Sequence, residues 1–260
     1  MVLEYIVGAT LAVSLVSLVG TAVFSLSPRH VDKLLFISVG FATGALLGAA
    51  FFDVLPESLA ELSPESALPI VLAGIVTFFI LEKFVWHHHH ESHAHSGKKG
   101  HVHHKTAKEK PLGYLTLAGS LAHNFFDGVA IAAAFLTSIP LGVATTIAIA
   151  LHEIPHELGD FGLLLYSGFD KWRATLLNLA TGMTSVLGGI AFFYFAPHVS
   201  QLESYALAFT AGTFIYIATA DLVPELHKEE NRTRSVIQVA LVVLGAVVLW
   251  AVSQWLEHGG

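Results

Sequence analysis

Runs of mostly apolar residues, each of about spanning length, follow one another along the chain, near 4–26, 34–56, 67–86, 112–135, 141–166, 172–196, 203–224 and 235–256. About 20 apolar residues in a helix cross the hydrocarbon core of a bilayer, whereas a barrel strand needs only about 10. Lipid offers no partner for backbone N–H and C=O groups, so a segment of this length must satisfy them internally, as a helix. The expected fold is therefore an all-α membrane protein with eight transmembrane helices. Only 13% of the residues are charged, against about 25% in soluble domains.

Charge placement orients these spans. All 13 Lys and Arg residues fall in or beside the connections 1–2, 3–4, 5–6 and 7–8: Arg29 and Lys33; Lys83, Lys98, Lys99, Lys105, Lys108 and Lys110; Lys171 and Arg173; Lys228, Arg232 and Arg234. The other connections and both termini have none, so the positive-inside rule puts both termini outside the cytoplasm. This implies a multi-pass protein of a plasma or bacterial inner membrane. No small-residue cleavage pattern follows span 1, which is expected to stay as a helix and not to be removed as a signal peptide.

The chain repeats itself. Span 2 holds Phe41, Gly44, Asp53, Pro56 and Glu57, and span 7 holds Phe209, Gly212, Asp221, Pro224 and Glu225, each pair 168 residues apart. Span 2 runs outward and span 7 inward, so the repeat is inverted, with spans 1–3 related to spans 6–8 around a central pair, 4 and 5. Asp53 and Glu57 then lie toward one face, and Asp221 and Glu225 toward the other. With Asp160, these acids are candidates for an entry or exit path.

The central pair carries the chemistry. A charge near the bilayer centre costs about 2.5–3.5 kcal/mol on insertion scales, so ionisable residues there usually serve a pathway or site. Span 5 nevertheless contains His152, Glu153, His156, Glu157 and Asp160, and span 4 contains His123, Asn124 and Asp127. His123 and Asp127 are four apart, as are His152 and His156, so each pair shares a helix face. Counted from the turn near residue 138, His123 and His152 reach nearly one depth. Facing helices would offer His123, Asp127, His152 and His156 to one cation, with Asn124 and Glu153 on its flank. The chain has no cysteine, and nitrogen with carboxylate oxygen suits zinc and is compatible with iron or manganese. Pro155 is expected to kink span 5 near residue 151.

The runs His123-Asn124-Phe125-Phe126-Asp127-Gly128 and His152-Glu153-Ile154-Pro155-His156-Glu157-Leu158-Gly159-Asp160 resemble the fourth and fifth helix signatures of the ZIP metal transporters, in the subgroup with HExPHExGD. The resemblance extends to a 3+2+3 helix order and covers essentially the whole chain. It implies a divalent-cation importer with zinc as the commonest substrate, and iron, manganese or cadmium as further ones. It also implies a primary site of His123, Asp127, His152 and His156, with Asn124 and Glu153 in a neighbouring second site. His156 and Ser185 stand where some bacterial relatives carry glutamates. A homodimer is compatible with this reading, the bilayer is the other partner, and no nucleic acid is expected. No catalytic cofactor is implied, and metal is cargo.

His152-Glu153-x-x-His156 also fits the HExxH zinc-protease pattern, so an intramembrane metalloprotease is the alternative. Ligands on span 4 and the inverted repeat favour transport, with no enzymatic step. Between spans 3 and 4, His87, His88, His89, His90, His93, His95, His101, His103 and His104 stand among Gly, Ser and Lys, a composition that builds no core and reads as a disordered, metal-capturing cytoplasmic loop. The expected organisation is 1–86 for spans 1–3, 87–111 for the loop, 112–166 for spans 4–5 and 167–260 for spans 6–8.

Overall fold

The computed structural model describes residues 1–23, 28–94 and 110–258; His95, His101, His103 and His104 lie outside them. The described residues form α1 (Val2–Val23), α2 (His30–Glu61), α3 (Pro64–Ala94), α4 (Lys110–Thr137), α5 (Ile139–Tyr166), α6 (Lys171–His198), α7 (Leu202–Leu226) and α8 (Arg232–His258). No strand occurs among them. Seven of these helices are long and apolar enough to cross a membrane. The other, α5, is as long as α4 at 28 residues but carries the ionisable cluster.

One boundary differs from the expectation. The segment expected as a loop from residue 87 is helical as far as Ala94, so α3 takes His87–His90 and His93 onto its backbone. After Pro69 the first proline or glycine beyond Gly74 is Gly97, so the sequence holds no stop signal until there. The helical run of α5 also continues through Pro155.

Local chemistry sets the central hairpin. Ser138 is extended and caps α5, its Oγ accepting from Leu141 N at 3.2 Å, with proline in the first turn. A single residue thus separates α4 from α5, and the two fold back on each other: Phe135 meets Gly142 near the turn, while Ser120 donates to Asp160 at the far end. The connection into α6 is made by Gly168, at φ 88°, and by Asp170, whose carboxylate accepts from Arg173 N at 3.0 Å.

The repeat is present in the backbone as well as the letters. A π-helical segment, Ala49–Val54, interrupts α2, and its counterpart, Ile217–Leu222, interrupts α7 at the same 168-residue offset. Both close with an i−5 bond, Leu55 N to Ala50 O and Val223 N to Ala218 O. Pro56 and Pro224 follow directly; without an N–H they cannot continue the α ladder, and a π-bulge absorbs the misfit. The end of α2 meets the start of α7, where Ser58 Oγ donates to Ser204 O at 3.0 Å and Gln201 Nε2 to Glu61 O at 3.1 Å. These helices are therefore antiparallel, and the repeat is inverted.

Glycines bring the matched pairs together. A Cβ on Gly44 would lie 1.8 Å from Val242 O and one on Gly245 2.1 Å from Phe41 O, joining α2 to α8. The equivalent contacts join α7 to α3, with Gly212 at 2.0 Å from Val71 O and Gly74 at 2.3 Å from Phe209 O. Helices in lipid associate through such close packing rather than through a hydrophobic driving force. Replacing Gly44 or Gly212 by leucine should therefore cost about 1–3 kcal/mol or more. The measurement is thermal unfolding of detergent-purified protein followed by size exclusion; Gly159→Ala, where a Cβ meets nothing within 4 Å, should leave it unchanged.

Candidate metal centre

His123, Asp127, His152 and Glu153 converge between α4 and α5, one ligand atom from each lying within 4.8 Å of all the others. All four are buried, the carboxylates to 2% and 1% exposure. His123 Nε2 stands 3.2 Å from His152 Nε2, 3.1 Å from Glu153 Oε1 and 3.6 Å from Asp127 Oδ2. His152 Nε2 stands 3.5 Å from Asp127 Oδ2 and 3.4 Å from Glu153 Oε1. Zinc bonded at 2.0–2.1 Å in a tetrahedron separates its ligand atoms by about 3.3–3.4 Å. The five separations bracket that edge length.

Surroundings complete the geometry. His152 Nδ1 faces Ala148 O at 3.4 Å; a proton held there leaves the Nε2 lone pair for a metal. Phe78 packs edge-on against His123 at 5.5 Å and Phe214 lies 6.4 Å from His152, giving the centre an apolar wall. Such a wall strengthens electrostatic attraction inside it.

The expected six candidates separate. Glu153 joins the quartet, whereas His156 stands outside it, stacked on the His123 ring at 4.3 Å and 9°, with Nδ1 3.8 Å from Asp160 Oδ2. Axial register explains the exchange. On antiparallel helices the four-residue step from His123 to Asp127 runs toward the turn, and the step from His152 to His156 runs away from it. Asp127 and His156 therefore differ by seven residues in distance from Ser138, about 10 Å along the axis. Glu153 is level with His123. Asn124 is buried beside them, its Nδ2 donating to Ser120 O at 3.1 Å and its Oδ1 unpaired. Glu157, 1% exposed, lies within reach of Glu153 and Asn124.

A cavity of about 150 Å³ opens from His123 and His156 and is bordered by Ser120, Asp160 and Asp221. Glu82 and Tyr216 also line it, and the Tyr216 hydroxyl donates to Glu82. Neither was a candidate from sequence; Glu82 sits beside Lys83 at a span end, where an acid looks interfacial. Asp53 is buried in its π segment, Glu57 is half-buried, and Glu225 is exposed and paired with Lys228. His87, His88, His89, His90 and His93 lie on the α3 extension, on the same helix as Glu82 and beyond it.

Comparison with known proteins places these residues in context. The family described as ZIP Zinc transporter matches residues 2–111 and 86–253. Zinc transporter ZIP13 of Pongo abelii is 38% identical over 235 residues, 85% of this chain and 66% of that protein. The human protein of that name is 36% identical over 254 residues, 81% of this chain and 68% of the relative. Zinc transporter SLC39A7 of Canis lupus familiaris is 34% identical over 338 residues, 97% of this chain and 71% of the relative. The chain thus spans about two thirds of the length of these relatives.

Removing one donor should weaken zinc binding to the purified protein. With the loop histidines of residues 87–104 replaced by serine, His152→Ala should lower affinity in a chelator-competition titration by about 10-fold or more, and Asn124→Ala by much less. Ligation needs neutral imidazole and ionised carboxylate, so binding should weaken as pH falls.

Proposed function

The chain belongs to the ZIP zinc transporter family, and on that premise we propose that it carries zinc into the cytoplasm across a plasma or bacterial inner membrane through His123, Asp127, His152 and Glu153. Four metal-binding donors at tetrahedral spacing on two facing helices carry the reading. The donors replace the water shell that zinc must shed in a low-dielectric interior. Two carboxylates and two neutral imidazoles also match its charge, so the loaded centre is net neutral. Either carboxylate converted to an amide leaves an uncompensated charge, which is costly there.

In this proposal α5 is the eighth crossing, and its charge is tolerated because it faces α4. Zinc passes Asp53 on the outer side and reaches the quartet. His156, stacked on His123 and facing the cavity, takes the ion next; Asp160 and Asp221 then draw it on. The clustering of basic residues in alternate connections supports inward delivery. Histidines His87 to His104 bind zinc on the cytoplasmic side without forming the route. Iron, manganese and cadmium compete to the extent that they accept nitrogen and oxygen donors. No phosphate-binding G-x-x-x-x-G-K motif occurs, so a gradient or coupled ion supplies the driving force.

The zinc-protease alternative finds no support: Glu153 sits among the ligand atoms, whereas the protease glutamate activates water beside the metal. Radioactive zinc uptake into proteoliposomes tests the proposal. Asp127→Asn and Glu153→Gln should each lower uptake by about 10-fold or more at equal protein content, with iron, manganese and cadmium competing against the wild type. Uptake near the wild-type rate in either variant would exclude this centre, and Glu153-dependent peptide cleavage without flux would establish the protease. Orientation is testable in this cysteine-free chain. Single cysteines at Ser63 and Ser200 should react with an impermeant reagent from outside, and one at Thr233 should not.

A further inference from the structure

A further acid lies buried beside the centre and takes no part in it. Glu157 is 1% exposed, and its Oε2 has no hydrogen-bond partner. The carboxylate lies within reach of the Asn124 amide on α4 and of Glu153. Asn124 is 14 residues before Ser138 and Glu157 is 19 after it, about 7–8 Å apart along the axis. Side chains on a helix lean toward its N-terminus. On these antiparallel helices Glu157 therefore leans toward the turn and Asn124 away from it, which closes the gap.

Two amide oxygens share the condition of Glu157. Asn124 Oδ1 and Asn178 Oδ1 are unpaired, and both residues are 1% exposed. Asn124 Nδ2 donates to Ser120 O at 3.1 Å. Asn178 Nδ2, from α6, stands 3.4 Å from Ser17 O and 3.5 Å from the backbone carbonyl of Glu157. These partners are all acceptors, so neither amide can be turned round. Helices α4, α5 and α6 thus each bring one buried, unpaired oxygen to this junction. No Lys or Arg forms an ion pair with Glu157 among the described residues, and the neighbouring His156 faces Asp160 instead.

We propose that Glu157 and Asn124, with Asn178 behind them, bind one monovalent alkali cation beside the zinc quartet. Glu153 turns its Oε1 to the quartet, which leaves Glu157 as the acid that serves Asn124. A buried carboxylate without an opposite charge is costly, and buried oxygens without partners call for a water or an ion. A water would satisfy the lone pairs and leave the charge. A proton would remove the charge and pair at most one amide oxygen. An alkali cation answers both needs. Oxygen donors without nitrogen or sulfur suit a hard cation, and one carboxylate among neutral amides matches a single positive charge.

Binding of sodium-22 to the purified full chain, captured through a biotin tag on scintillation beads in zinc-free buffer, tests the site. A single saturable sodium should bind, displaced by unlabelled sodium and not by choline. Glu157→Gln should lower its affinity by about 10-fold or more and Asn124→Ala several-fold, while Glu65→Gln, at an exposed acid, should change nothing. Saturating zinc should leave the sodium in place. That arm rests on the quartet binding zinc, which a chelator titration of the same sample checks separately. Glu157→Gln should keep its zinc affinity in sodium-free buffer; if it fails to fold, Asn124→Ala decides, and sodium binding unchanged in it would overturn the site. Absence of saturable binding, displacement by choline or equal loss in Glu65→Gln would mean an adventitious ion only and would overturn it too. So would binding that survives Glu157→Gln, or that zinc displaces completely, since sodium would then sit in the quartet.

Discussion

Everything in this molecule depends on keeping four buried ionisable side chains together. A buried carboxylate or imidazole in lipid is costly alone, and α4 and α5 meet that cost by facing each other. His123 and Asp127 come from one helix, His152 and Glu153 from the other, and the single-residue turn capped by Ser138 sets their relative depth. Small buried residues such as Ala130, Ala132, Ala133 and Ala134 on α4 and Ala144 and Ala148 on α5 allow the pair to sit at the centre. The polar residues are therefore the reason for the packing as much as its beneficiaries.

Around that pair the fold is built twice. The π segments at Ala49–Val54 and Ile217–Leu222 and the glycine contacts at Gly44 and Gly212 show one design used in both halves, in opposite orientation. The halves differ where function would ask them to. Asp53 and Asp221 are equivalent by offset, but only Asp221 borders a cavity that reaches His123 and His156. Helix α8 has little of its surface inside the protein, 17% of its spanning stretch against 61% for α4, which leaves its outer face to the membrane.

Much of this was legible in the residues. Apolar run length marked the spans, the 168-residue offset marked the repeat, and four-residue spacing marked the helix faces that meet. Two features were harder to read. Periodicity states which side chains share a face but not their level, so the spacing puts His156 with the primary ligands and Glu153 on the flank, whereas the antiparallel steps counted from Ser138 bring Glu153 level with His123; the information is in the numbering. Glu82 and Tyr216 belong to the cavity through contacts between α3 and α7, which no local pattern encodes. The extension of α3 to Ala94 shows composition misleading in another way: a histidine-rich stretch builds no core, yet nothing in it stops a helix before Gly97.

Zinc K-edge absorption of the protein loaded with one equivalent of zinc, its loop histidines replaced by serine, tests the central claim most directly. The account predicts nitrogen and oxygen neighbours of the zinc at about 2.0–2.1 Å, with multiple scattering from two imidazoles. One imidazole should be lost in His152→Ala and neither in His156→Ala. A spectrum unchanged by His152→Ala, or one that loses an imidazole in His156→Ala, would contradict it.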